Sequence, residues 1–232
     1  DHEVASSKLN WWREEIERLF KGAPQHPVSK ALHPFISLFE LSKAHFDEII
    51  DGMEMDVKLN RYESFKQLQL YCYRVASCVG ILSAHIFGFK NKNTLKFAHN
   101  LGIALQLTNI IRDLGEDARR GRIYIPLDEL AKLGISEEEI ISLKNGEKIK
   151  ALVKSQVERA KQFYGLAIES LPSEDKKSQK IGLVMGNIYY VLLNKIEKDD
   201  PEKILNQKTT LPWFSKLIIS ILTMLDFSWI NK

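Results

Sequence analysis

The sequence predicts an all-α fold in a single domain spanning residues 1–232. Apolar residues recur at helical spacing almost without a break, strand signals are scarce, and no linker-like tract divides the chain. Short punctuation at Gly22 to Pro24, Gly88 to Asn91, Gly121 to Pro126, Gly134, Asn145-Gly146, Pro172 and Pro201 separates the helices.

The first helix is expected over 3–20, where Trp11, Trp12, Ile16 and Leu19 form one apolar face. Helices over 27–38 and 42–57 follow the Gly-Ala-Pro break, and a longer one is expected over 64–87. Within it Tyr71 and Tyr73 stand near the small residues Ala76, Ser77 and Gly80, which allow close helix packing. The next is expected over 92–118, followed by short helices over 127–132 and 136–142. Ser136 and Glu139 make a capping box for the second of these, each able to satisfy the other's backbone N–H. Helices over 147–170 and 174–198 come next, the latter with Ser173, Glu174 and Asp175 at an acidic start. The tail, expected helical over 212–228, is strongly apolar from Leu217 to Ile230. It falls short of the ~20 residues that span a bilayer and contains Asp226, so it reads as docked or interfacial.

Composition is that of an ordinary globular protein, 44% hydrophobic and 27% charged, which excludes collagen-like, coil-only and disordered chains. A net charge of +3 is too small to argue for nucleic acid or anionic lipid as the main partner. Cys72 and Cys78, six apart in one helix, lie about 9 Å apart at 1.5 Å per residue, too far for a disulfide. The thiols suggest a reducing compartment, and the six histidines show no i,i+4 spacing for zinc.

The informative stretch is LGIALQLTNIIRDLGED, residues 101–117. Gln106, Asn109, Asp113 and Asp117 are spaced 3, 4 and 4, so at about 100° per residue they form one polar stripe on an otherwise apolar helix. Such a stripe is either a hydrated, salt-bridged seam or the wall of a metal-diphosphate cavity. In the second reading two carboxylates one turn apart hold Mg²⁺, which also binds phosphate oxygens, and Arg112 supplies fixed positive charge.

The string from Gln106 through Asn109, Arg112, Asp113 and Asp117 to Tyr124 and Pro126 resembles the second aspartate-rich motif of the squalene and phytoene synthase family. Three further stretches match in order: KLNWWREE from Lys8, GMEMD ending at Asp56, and YCYRVASCVG from Tyr71. The resemblance covers nearly the whole chain and is nearest to the bacterial presqualene diphosphate synthases of hopanoid biosynthesis. It implies an isoprenoid-synthase-type helical bundle around a central cavity. The implied activity is Mg²⁺-dependent joining of two farnesyl diphosphates to presqualene diphosphate, in squalene/hopanoid biosynthesis. Phytoene synthesis from geranylgeranyl diphosphate, or a noncatalytic scaffold role, is the alternative.

By position, the resemblance implies that Asp113 and Asp117 bind Mg²⁺. Gln106, Asn109, Arg112, Tyr189, Lys208 and Lys216 would line the diphosphate site, and Tyr71 or Tyr73, with Arg112, would act in catalysis. Lys208 stands where relatives often carry Arg, whose fork a Lys lacks. Of the acidic residues near the end of the helix expected over 42–57, Asp56, in the family-like GMEMD string, is the cavity candidate and Asp51, about 140° away, a surface charge. Arg119, Arg120 and Arg122 are weak evidence for a nucleic-acid patch; they read either as a solvated helix end or, as the resemblance implies, as a positive loop over the diphosphate pocket. The family's first aspartate-rich motif belongs just upstream of Lys8, where only residues 1–7 stand. The expectation is a domain without its N-terminal helices, either a fragment or a protein with half its metal site. No dinucleotide fingerprint is visible. The expected location is cytoplasmic, with peripheral contact to the inner membrane because substrates and product are lipidic.

Overall fold

The computed structural model describes residues 2–142 and 146–230. Thirteen α-helices, one π turn and one 3₁₀ turn account for their regular structure, with no strand among them. In order these are α1 (His2–Phe20), α2 (Pro27–Leu38), α3 (Lys43–Lys58), α4 (Phe65–Cys72), the π turn (Tyr73–Ser77), α5 (Cys78–Phe87), α6 (Asn93–Arg112) and α7 (Leu114–Arg119). There follow α8 (Leu127–Lys132), α9 (Glu137–Ile141), α10 (Gly146–Ser170), the 3₁₀ turn (Ser173–Asp175), α11 (Lys180–Lys198), α12 (Pro201–Asn206) and α13 (Trp213–Met224).

Helix α6 is the axis of the bundle. Its apolar residues face every direction, and Phe97, Leu101, Ile103, Leu107, Ile110 and Ile111 are all buried. The long α10 runs against it, and α4, the π turn, α5 and α11 pack around the remaining sides. Gly102 lets the π turn come this close, since a Cβ there would lie 2.6 Å from Ser77 Cα. Ser77 Oγ then donates to the His99 carbonyl at 2.8 Å. A smaller core of Ile16, Leu19 and Ile50 joins α1, α2 and α3.

Buried carboxylates pin the joints of this frame. Glu15 accepts from the backbone N–H groups of Gln25 (2.8 Å) and His26 (2.7 Å), fixing the α1–α2 loop. Asp175 accepts from the N–H groups of Lys90 (2.8 Å) and Asn91 (3.0 Å) and from the Thr94 hydroxyl (2.7 Å), tying the start of α6 to the α10–α11 connection. Asp51, expected as a surface charge, clamps helices instead: it pairs with Arg13 of α1 at 2.5 Å and Arg74 of the π turn at 3.6 Å. Cys72 and Cys78 are both free and buried, as the spacing requires.

The capping box of Ser136 and Glu139 forms as expected, with bonds of 2.8 and 3.2 Å. Four expectations need correction. The helix over 64–87 widens to a π turn where Ser77 is wedged against α6. The helix over 92–118 is interrupted at Asp113, whose side chain is drawn to Arg112 and Lys208 and whose φ, ψ are −97° and 7°. The helix over 174–198 begins only at Lys180, because the Asp175 carboxylate caps another segment rather than its own helix. Helix α12 begins at Pro201, where the sequence predicts only a break between helices; Pro also favours the first position of a helix.

Candidate active site

The polar stripe lies at the C-terminal end of α6 and across the break into α7. The Asp117 N–H bonds to the Asp113 carbonyl at 2.9 Å, so the one-turn relation of the carboxylates survives the interruption. Asp113 is gripped twice. Arg112 donates to it bidentately, Nε to Oδ1 at 2.9 Å and Nη2 to Oδ2 at 2.5 Å, and Lys208 Nζ stands 2.9 Å from Oδ1. Burial pushes the Asp113 carboxyl up, but the two cations outweigh it and hold it below the usual carboxylate range. Tyr189 faces Arg112 from α11.

Lys208 reaches Asp113 because α12 sits hard against α7. At Gly115 any Cβ would lie 1.8 Å from the Leu205 carbonyl oxygen, and Arg119 donates to that same oxygen at 2.8 Å. Only glycine permits this contact.

Asp117 is treated differently. Its carboxylate has no hydrogen-bond or ion-pair partner among the described residues, and its pKa is pushed up to about 6. Burial is the main cause, followed by the charges of Asp113 and Glu116; Arg122 and Arg120 offset them only in part. Two turns earlier, Asn109 Oδ1 is a buried acceptor without a partner among the described residues, while its amide nitrogen reaches Gln106 Oε1 at 3.4 Å. An orphaned amide oxygen and an unneutralised carboxylate, both oxygen donors, fit a hard divalent cation. No group of three or more His, Cys, Asp or Glu side chains gathers among the described residues, so such an ion would complete its shell with the amide, water or phosphate oxygens.

Beyond the stripe, the loop after α7 folds back on the loop after α3. The N–H groups of Ile123 and Leu127 bond to the carbonyls of Asn60 (3.0 Å) and Tyr62 (2.9 Å). Ile123 and Ile125 point into the core while Tyr124 between them faces the other way. Tyr124 and Tyr71 both donate to Asp56, at 2.7 Å to Oδ1 and 2.9 Å to Oδ2. Tyr62, Tyr71 and Tyr124 form a triangle with ring centroids 5.4–5.7 Å apart. Arg122 donates to the Asp56 carbonyl at 3.2 Å and its charge also acts on Asp117, joining the tyrosine cluster to the stripe.

The structure therefore brings Gln106, Asn109, Arg112, Asp113, Asp117, Tyr189 and Lys208 to one end of α6. It separates the two tyrosine candidates: Tyr71 joins the Asp56 cluster, whereas Tyr73, in the π turn, turns toward His99 and Cys78. Lys216 lies exposed on α13 and makes no side-chain contact with the stripe among the described residues. The arginines are individually employed: Arg119 on Leu205, Arg120 on Glu116 at 2.7 Å, and Arg122 on Asp56. Tyr62 and Tyr124 were missed as site residues. The alternation of Ile123, Tyr124 and Ile125 was the available signal for Tyr124.

The chain is 36% identical to phytoene synthase of Arthrospira platensis over 223 residues, 90% of this chain and 72% of that protein. It is 38% identical to the chloroplastic phytoene synthase 2 of Solanum lycopersicum over 203 residues, 85% of this chain and 66% of the relative. It spans 48% of the chloroplastic phytoene synthase of Narcissus pseudonarcissus, about half of that protein's length. Among solved structures, a dehydrosqualene synthase in complex with ligand superposes with a TM-score of 0.84 at 24% identity, covering 97% of this chain and 80% of that one. Squalene synthase HpnC from Alicyclobacillus acidocaldarius superposes with a TM-score of 0.74 at 23% identity, covering 84% and 75%. These establish an isoprenoid-synthase-type fold. With a family match running from residue 1 to residue 215, the chain belongs to the squalene/phytoene synthase family.

Proposed function

We propose that the protein joins two prenyl diphosphates head to head with release of diphosphate. The observation that carries this reading is the unneutralised Asp117 on the same stripe as the orphaned Asn109 oxygen two turns away, with Arg112 and Lys208 on Asp113 between them, within the family's acidic motif. Asp113, Asp117 and Asn109 would hold Mg²⁺, which when bound supplies charge neutralisation for a departing diphosphate. Arg112 and Lys208 orient the same anion. Departure of the donor's diphosphate leaves an allylic cation, the 2,3 double bond of the second substrate attacks that carbon, and loss of a proton closes a cyclopropane. The protein's part is to align the two chains and exclude water that would capture the cation.

On substrate length two readings stand. The motif resemblance favours farnesyl diphosphate and presqualene diphosphate; the 36–39% identity to proteins named phytoene synthase favours geranylgeranyl diphosphate. Incubating the full-length protein with each diphosphate and Mg²⁺, then identifying products by mass, decides between them. Absence of any head-to-head product from either substrate overturns the function.

We also propose peripheral membrane contact, on the inner membrane of a cytoplasmic protein. Trp213, Leu217, Ile218, Ile221 and Leu225 are exposed on or just after α13. Among the described residues one helical stretch, Phe65–Phe87, is long and apolar enough to cross a membrane by length and composition, but it is packed on α6. Flotation with liposomes tests the contact: unchanged binding after removal of residues 213–232 would exclude α13 as the tether.

A further inference from the structure

We infer that Asp56 is a positioning residue that turns Tyr71 and Tyr124 into an electron-rich wall for positive charge developing beside the acidic stripe. This rests on the proposed carbocation chemistry, and it assigns a task to a carboxylate outside the metal-binding motif.

The geometry is specific. Each carboxylate oxygen of Asp56 accepts from a different phenol, Oδ2 from Tyr71 at 2.9 Å and Oδ1 from Tyr124 at 2.7 Å. A carboxylate accepting two hydroxyl donors, one on each oxygen, has the pattern of the ionised, acceptor-only form. A phenol has one proton and two lone pairs. Once that proton is committed to Asp56, the hydroxyl offers an approaching group lone pairs only, and on Tyr124 one of these already accepts from Arg122 Nη1 at 3.5 Å. The three rings of Tyr62, Tyr71 and Tyr124 lie 5.4–5.7 Å apart, so π faces and oxygen lone pairs occur in one cluster. Tyr124 is its half-buried outer member and Tyr71 its buried inner one. Burial, reinforced by Asp56, raises both phenols, Tyr124 to about 12 and Tyr71 well above the usual tyrosine range, so both keep the protons that the arrangement requires.

The charge is delivered indirectly for a chemical reason. A bare carboxylate beside an allylic cation would form an ester with it. Here both oxygens are engaged by hydroxyls, and the negative charge is passed on by polarising the phenols. The cluster is also held in register with the stripe. Arg122 donates to the Asp56 carbonyl at 3.2 Å, approaches the Tyr124 hydroxyl at 3.5 Å and acts electrostatically on Asp117. Backbone bonds from Ile123 to Asn60 and from Leu127 to Tyr62 fix the two loops that carry the tyrosines.

The test is Asp56→Asn in the full-length protein, which keeps shape but removes the charge. The expected result is a fall in kcat of about 100-fold with KM within about twofold. Adding Tyr71→Phe and Tyr124→Phe to that variant should cost less than about threefold more, because all three act as a unit. A second measurement is independent of turnover: binding of a prenyl tertiary ammonium compound against its neutral carbon isostere, with inorganic diphosphate and Mg²⁺ present. Wild type should prefer the ammonium compound, and Asp56→Asn should lose about tenfold of that preference. Should Asp56→Asn fail to fold, the Tyr71→Phe/Tyr124→Phe variant should show the same two losses. Unchanged kcat, a loss confined to KM, or an ammonium preference that survives would each overturn the role. If wild type makes no head-to-head product, the proposed reaction fails, and the ammonium preference still decides the case of Asp56.

Discussion

Asp175, in the 3₁₀ turn between α10 and α11, and Asp117, in the short helix α7, are both carboxylates withdrawn from water, and the fold treats them in opposite ways. Asp175 is met by two backbone N–H groups and a threonine hydroxyl, and these outweigh its burial to hold its carboxyl below the usual range. Asp117 is met by none among the described residues and lies near Asp113 and Glu116, so its carboxyl rises to about 6. Asp175 thus contributes to holding α6 in place. Asp117 is kept at a cost to stability, which a structural joint has no use for and the proposed cation site does.

Four changes sharpen or break that contrast. The largest effect is expected from Asp117→Asn, which should lower Mg²⁺-dependent turnover at least about 1000-fold while raising the melting temperature at pH 7.5 by a few degrees. The stabilising sign follows from linkage. A carboxyl raised from its ordinary value to about 6 favours its protonated form in the folded state, so folding stability falls as pH rises through that interval and stays lower above it. A melting temperature that drops at pH 7.5 would place Asp117 with the structural carboxylates. Next comes Asp175→Ala, which strands three donors and should destabilise the fold by about 3 kcal/mol in urea unfolding with kcat per folded molecule unchanged. Its pH dependence has the opposite sign: the depressed Asp175 carboxyl stabilises above the unfolded-state value near 3.9, and this is lost as pH falls through its folded pKa.

A smaller effect concerns Mg²⁺ itself. Because protons compete for Asp117, the Mg²⁺ concentration for half-maximal activity should rise about tenfold per pH unit below 6 and level off above it. A half-maximal concentration that stays flat from pH 5 to pH 8 would remove Asp117 from the metal shell. The smallest concerns Lys208, where Arg should leave kcat/KM within about threefold and Ala should lower it about tenfold, chiefly through KM. Equal behaviour of the Ala and Arg variants would show that the Asp113 contact is incidental.

Much of this site was legible in the sequence because helical period converts spacing into a face. Gln106, Asn109, Asp113 and Asp117 could be placed on one stripe without coordinates, and Asp56 could be separated from Asp51. Long-range contacts were not legible. Nothing in local periodicity says that Gly115 will receive the Leu205 carbonyl, and that contact is what brings Lys208 to Asp113. Tyr71 and Tyr73 could not be told apart for a related reason. Two apart on a helix, they point about 200° from each other, so at most one can face the site, and which one depends on how the helix is rotated against its neighbours, which local spacing does not fix. The acidic start at Ser173 was misread because a capping residue was assigned to its own helix, whereas tertiary structure uses Asp175 elsewhere.

The wide turn at Tyr73–Ser77 makes the chain its own ruler. The Cys78 N–H reaches back five residues to the Tyr73 carbonyl, so one residue more than an α-helix needs is stored there. Upstream of it Tyr71 is aimed at Asp56; at its end Ser77 is seated on α6. Because the wide turn absorbs its extra residue, removing one residue there would close it to ordinary α-helix and leave the flanking halves in phase. Adding a residue has no such outlet: the far half would rotate by about 100° against the near one, and either anchorage could be kept, but not both. Chain length across these five positions therefore tolerates shortening better than lengthening, and a one-residue insertion there should be more damaging than a one-residue deletion.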